Sequence, residues 1–219
     1  DTIVVGAYRE NEAFVFTYDP VLEQWTEQQI LTGSNTASGD NFGRGVTIDG
    51  DTIVVGAFFE DSNATSINGP GDNNSRSNSG AAYVFVRNDG VWTEQAYIKA
   101  NNAAVDDLFG GILDLDGDTL AVGVYSRGPF DHGGAYVFQR SGETWTQQAY
   151  FEPALATTNE YFGSAISISG DLVAVGSPQE DGNGIELILS CEPFEGDMGS
   201  PGPNAGEDQI SPEESRRRH

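Results

Sequence analysis

The chain has 219 residues, enough for one large domain or two small ones, and its ten basic and thirty-four acidic residues leave a formal net charge of −24. Lys99 is the only lysine. That balance excludes sequence-independent nucleic-acid binding, which needs clustered cations against phosphate, and argues against docking on anionic membranes.

In chain order the first element is DTIVVGA at Asp1–Ala7, a β-branched run that returns as DTIVVGA at Asp51–Ala57, DTLAVGV at Asp118–Val124 and DLVAVGS at Asp171–Ser177. An aromatic run follows the first three copies: AFVF at Ala13–Phe16, AYVF at Ala82–Phe85 and AYVF at Ala135–Phe138. Next come Trp-Thr phrases from Trp25, Trp92 and Trp145, and Phe-Gly pairs stand at Phe42, Phe109 and Phe162. The Phe-Gly and Trp-Thr markers keep the same unequal spacing, so one structural unit is copied in tandem and one copy carries a longer loop.

Each full unit predicts four short antiparallel strands. In the second copy they are VTI, TIVVGA, AAYVFV and VWTEQAYI, with hairpin turns at Asp49-Gly50 and Asn88-Asp89-Gly90. No segment has a helical stripe, so the fold class is all-β. In AYVF, Ala82 and Val84 point one way and Tyr83 and Phe85 the other, and both faces are apolar. A sheet covered on both faces reads this way, and stacking four-stranded sheets around an axis supplies the cover: a β-propeller. The small residues Gly56-Ala57, Gly123 and Gly176 in the second strand suit close backbone approach near such an axis.

FGRGVTIDGDTIVVGA and FGSAISISGDLVAVGS resemble FG-GAP repeats, the blade unit of the integrin α-subunit propeller and of many bacterial surface proteins. The resemblance spans residues 1 to about 190, with blades at 1–31, 42–98, 109–151 and 162–190. The first lacks its innermost strand and the last has no Trp phrase. The expectation is therefore an open arc of two complete and two partial blades, with further blades of a longer chain as its neighbours. GIELIL at Gly184–Leu189 should take the place of GAAYVF, with Leu187 and Leu189 for Tyr83 and Phe85. Residues 191–219, rich in Pro, Gly and acids and ending SRRRH, should form a disordered tail. Cys191 stands alone, so no internal disulfide or zinc constellation is available. No apolar run reaches the ~20 residues that cross a bilayer.

The resemblance implies a non-catalytic binding or adhesion module of a secreted or cell-surface protein, contacting a protein or carbohydrate ligand through its loops. It also raises calcium. The family's metal loop lies between the first two strands, but here Asp49-Gly50 and Asp116-Gly117 leave only tight turns, too short to wrap six oxygens around a cation. A second acidic position follows the second strand. Glu60-Asp61 recurs as Glu180-Asp181, and the loop it opens adds Asn63, Asp72 and Asn74 as hard oxygen donors. These seven residues form the candidate calcium set, and the competing account is a loop of Asx-turns bonding its own backbone. The acids before each Phe-Gly, Asp40, Asp107 and Glu160, read as caps that order the connection between blades. Two further functions stand beside the binding module. One is a sialidase-like glycoside hydrolase with paired carboxylates, and the other is a structural spacer in a long repeat protein. No G-x-S-x-G elbow or phosphate-binding glycine loop is present, and His132 is the only histidine before the tail.

Overall fold

The computed structural model describes residues 1–126, 132–153 and 161–178, and the strand at 187–190. The first sheet orders β1 (Thr2–Ala7), β2 (Glu12–Asp19) and β3 (Gln24–Leu31). The second orders β4 (Phe42–Asp49), β5 (Thr52–Ala57), β6 (Ala81–Asn88) and β7 (Val91–Ile98), all antiparallel. The third repeats it with β8 (Ile112–Asp116), β9 (Thr119–Val124), β10 (Gly134–Ser141) and β11 (Thr144–Phe151). The fourth has β12 (Ala165–Ser169), β13 (Leu172–Gly176) and β14 (Leu187–Ser190). In its register Val175 faces Leu187 and Val173 faces Leu189. In the second sheet Val55 faces Tyr83 and Ile53 faces Phe85. The two leucines therefore take the aromatic positions, as the repeat alignment predicts.

These sheets are the blades of an open β-propeller arc, and among the described residues two have four strands and two have three. Blade packing is directional. The leading face of the second blade (Ile53, Val55, Tyr83, Phe85, Trp92) shares a core with Ala13, Val15 and Leu31 of the first. Its trailing face (Val54, Ala82, Val84, Ala96) shares another with Leu120, Val122, Tyr136, Phe138 and Trp145 of the third. A third core joins Ala121, Ala135 and Val137 to Phe162, Val173 and Val175 of the fourth. Large side chains on one face thus meet small ones on the next, the interdigitation that close packing requires.

The repeated motif residues make this stacking possible. Each Phe-Gly pair lies against the second-strand glycine of the blade before it, and Gly43, Gly110 and Gly163 take φ of 93°, 92° and 86°, the left-handed region that glycine enters without strain. A Cβ on Gly56 would sit 1.7 Å from Gly110 O, and one on Gly123 would sit 2.1 Å from Gly163 O. The outer strands interlock too. Trp92 Nε1 donates to Gln28 Oε1 (3.3 Å) and Trp145 Nε1 to Gln95 Oε1 (3.0 Å), each across a blade boundary. Arg87 lies over Trp92 and pairs with Asp51, and Arg140 lies over Trp145 and pairs with Asp118.

The turns correct one detail of the sequence reading. Asp49 pairs with Thr52, so the two-residue hairpin loop is Gly50-Asp51 with glycine first, as a II′ turn requires. This frees the Asp49 carboxylate to act between blades. Its Oδ2 accepts the Gly117 N–H of the next turn at 2.7 Å, and Asp116 Oδ2 accepts Gly170 N–H at 2.5 Å. Residues that look like local turn formers also clasp blade to blade.

Candidate functional site

Strand direction sorts the connections. In the second and third blades the first and third strands run toward tight hairpins, so the connection between second and third strands and the link between blades both emerge at the opposite end. Residues 8–11, 32–41, 58–80 and 99–111 therefore gather on one loop face. The hairpins and their Asp–Arg–Trp clamps lie at the other end. Arg87 and Arg140, two of the six arginines within the repeats, are thereby bound into the hairpin end, away from any loop-face site.

The 58–80 loop is held from below by a buried polar cluster. Lys99 Nζ donates to Glu60 Oε2 and to Ser79 Oγ, both at 2.7 Å, and the Lys99 and Glu60 side chains are buried. Glu60 Oε1 accepts from Tyr97 OH (3.0 Å) and from Asn35 Nδ2 (3.1 Å). Tyr97 OH also bonds Ser62 Oγ at 2.5 Å, and Tyr83 OH donates to Asn35 Oδ1 at 2.7 Å. Burial pushes the Lys99 ammonium below its ordinary value, and burial pushes both tyrosine hydroxyls up, with Glu60 adding to the rise. A buried charge needs a partner and hydrogen bonds, and here the chain's only lysine supplies them to the first residue of the proposed calcium set.

The other members of that set are placed as follows. Asp61 Oδ1 accepts Asn78 N–H at 2.7 Å, and its carbonyl accepts Arg76 N–H. Asn63 N–H donates to Asn73 O, while Arg76 Nη1 reaches Asn63 O at 3.0 Å and Ala64 O at 3.4 Å. Asp72 and Asn74 are exposed. Glu180 and Asp181 lie outside the described residues. Among the described residues no group of three or more His, Cys, Asp or Glu gathers as a metal cluster. Glu60 is held by Lys99, Tyr97 and Asn35, and Arg76 provides positive charge within the loop. Asn68 exchanges two bonds with Tyr97: Asn68 N–H to Tyr97 O (2.7 Å) and Tyr97 N–H to Asn68 Oδ1 (2.9 Å). The loop is thus ordered partly by bonds within itself, Asp61 to Asn78 and Asn63 to Asn73, and partly by Asn35, Tyr97 and Lys99 from outside it, rather than by short-range Asx-turns.

The acids before Phe-Gly behave as capping residues. Asp40 Oδ2 accepts Ala37 N–H (2.8 Å) and Asp107 Oδ2 accepts Ala104 N–H (2.7 Å), each three residues back. Asp40 is almost fully buried, and desolvation raises its carboxyl above the ordinary range. Glu160 lies outside the described residues.

Among the described residues, clefts open on the loop face. One, of about 290 Å³, lies near the axis between three blades and is lined by Arg44, Phe58, Gly111, Ile112, Tyr125 and Ser164. The Arg44 guanidinium lies 5.6 Å from the centre of the Phe58 ring, which is itself stacked on Phe59. Among the described residues no carboxylate lines this cleft. Another, of about 360 Å³, lies between the first blade's loop and the following connection, and includes Arg9, Glu10, Asn11 and Thr36. Sequence reasoning missed the first cleft because its side chains come from separate blades. The available signal was the aromatic at one repeat position, Tyr8, Phe58 and Tyr125, directly after each second strand.

Among the described residues no helix is long and apolar enough to cross a membrane. No curated protein matches the chain at a significant level. The family model described as FG-GAP repeat matches three segments, residues 25–85, 92–138 and 145–186. With most of the chain matched and the blades formed as that repeat requires, the protein belongs to the FG-GAP repeat family.

Proposed function

We propose that this protein is a non-catalytic binding module of a secreted or cell-surface protein, engaging a protein or glycan ligand through the loop face. FG-GAP propellers act as binding or adhesion modules, and the finer reading rests on one observation. The longest loop is pinned at its base by the buried Lys99–Glu60–Tyr97–Asn35 cluster, so its backbone is held in place before any ligand arrives. Ordering a flexible loop on binding costs free energy, and a loop whose backbone is already held avoids part of that cost. The axial cleft beside it supplies a cation, two aromatic rings and a hydroxyl on one concave surface, the mixture that orients a small polar ligand.

The test is a binding screen of the full chain against an array of defined glycans and a panel of extracellular proteins. Any hit is then repeated with Arg44→Ala, Tyr125→Ala and Asp72→Ala. Loss of binding in loop-face variants, with binding kept in the hairpin-end variant Asp118→Ala, supports the proposal. A hit lost only in the hairpin-end variant overturns the assignment of the face. No hit at all favours a structural spacer.

A further inference from the structure

One repeat position feeds the axial cleft from three blades. The residue directly after each Phe-Gly pair is Arg44, Gly111 or Ser164, and all three line the cleft, joined by Phe58 and Tyr125 from the position after the second strand. Gly111, between the cation and the hydroxyl, is not held to glycine by the stacking of blades. Its φ lies outside the left-handed region, and a Cβ there would meet nothing closer than Leu108 O at 3.5 Å and Phe58 Cβ at 3.6 Å, ordinary contacts. The space a side chain would take stays open beside Phe58. Arg44 differs from the chain's other cations. Arg87 and Arg140 pair with Asp51 and Asp118, Lys99 pairs with Glu60, and Arg76 donates to loop carbonyls. The exposed Arg44 guanidinium lies over the Phe58 ring instead, and among the described residues it pairs with no carboxylate. A guanidinium laid on a ring still offers its in-plane N–H fork to a planar anion.

We infer, resting on the binding-module reading above, that the axial cleft binds an acidic sugar residue, its carboxylate held by Arg44 and its ring hydroxyls met by Ser164. At about 290 Å³ the cleft stands at the lower end of small-molecule sites, with room for a single sugar ring. Ile112 and the Tyr125 ring offer apolar surface to the C–H face of such a ring. The Arg44 fork matches a carboxylate with two parallel hydrogen bonds. A neutral sugar would leave that fork unmet. An acidic side chain of a protein ligand would satisfy Arg44 but not Ser164, and its backbone would have to enter a cleft set among three blades. The net charge of −24 works against any anion at long range, yet at physiological salt that repulsion is screened beyond about 8 Å, so the contact at Arg44 decides.

Saturation-transfer NMR tests this on the full chain, titrated separately with methyl glucuronide, methyl glucoside and an acetylated, amidated glutamate. The expected result is glucuronide binding at least ~10-fold tighter than glucoside binding, the glucoside carrying a hydroxymethyl group where the glucuronide has its carboxylate. Arg44→Gln, at an exposed position, should keep the wild-type melting temperature and bring the glucuronide down to the level of the glucoside. Gly111→Leu puts a side chain into the cleft and should abolish binding of both sugars; if that variant fails to fold, Arg44→Gln still decides. A glucuronide that does not bind, equal affinity for the two sugars, or a preference that survives Arg44→Gln each overturns the inference. Tighter binding of the glutamate probe also overturns it and gives the cleft to an acidic side chain of a protein partner. The binding-module reading stands or falls separately, on whether loop-face variants lose a hit from the glycan and protein panels.

Discussion

Replacing Gly56 by alanine probes the stacking of blades at its tightest point. The added Cβ would lie 1.7 Å from Gly110 O and 2.5 Å from Gly110 C, both backbone atoms of the third blade. Carbon contacts settle at about 3.5–4.0 Å, so the blades must separate by roughly 2 Å along that line. A gap of even 0.5–1 Å forfeits about a quarter to a half of a contact's dispersion energy, and this gap would run through the core joining Val54, Ala82 and Val84 to Leu120, Tyr136 and Phe138. Ordinary overpacking costs about 1–3 kcal/mol. Because the clash is with backbone, we expect more than ~3 kcal/mol, a fall in melting temperature of at least about 6–12 °C for a domain of this size. Gly176→Ala is the internal control. It occupies the same place in the same phrase, but among the described residues its Cβ would meet the Ala165 Cβ at 3.2 Å and no backbone atom closer than 3.7 Å. That change should alter stability by less than ~1 kcal/mol, since a small steric cost is set against lost unfolded-state entropy. Urea unfolding followed by tryptophan fluorescence and far-ultraviolet circular dichroism measures both. Equal effects at the two positions would refute the stacking described here.

Three further outcomes are expected. Lys99→Met strands the buried Glu60 carboxylate and should destabilise by about 3–5 kcal/mol in urea unfolding, while adding Glu60→Gln to it restores most of the loss; a single variant within ~1 kcal/mol of wild type would contradict the buried pair. Asp40 has a raised carboxyl in the folded state against 3.8 when free, so the fold binds the extra proton between those values and this group's contribution to stability improves as pH falls through that window. Asp40→Asn, which can still accept the Ala37 N–H, should melt no lower than wild type at neutral pH and lose that acid-side gain; a lower melting temperature at neutral pH would count against it. Thermal melts in calcium and in EDTA at constant ionic strength should coincide, because Lys99 already neutralises Glu60. A transition raised several degrees by calcium would mean the native state binds the ion.

The sequence by itself determined the blade. Hairpin glycines, the alternation of bulky and small residues in AYVF, and the unequal spacing shared by Phe-Gly and Trp-Thr depend on neighbours a few residues away or on the copying of one unit. The four strands, their antiparallel order and the leucines at Leu187 and Leu189 follow from such local rules. The capping roles of Asp40 and Asp107 were legible for the same reason, since each bonds a backbone amide three residues back. Tertiary structure decided whatever crosses from one blade to the next. Asp49 looks like a turn residue until the next turn arrives beside it, and Gln28 is an exposed residue whose bond to the Trp92 indole N–H appears only when the blades stack. Glu60 shows best why the candidate site escaped sequence reasoning. Its spacing with Asp61 and Asn63 suits a cation loop, yet its carboxylate turns inward to Lys99, thirty-nine residues away, and only folding puts those two charges in one dry pocket. A carboxylate's chemistry is set by the partner it reaches, and that partner is chosen in three dimensions.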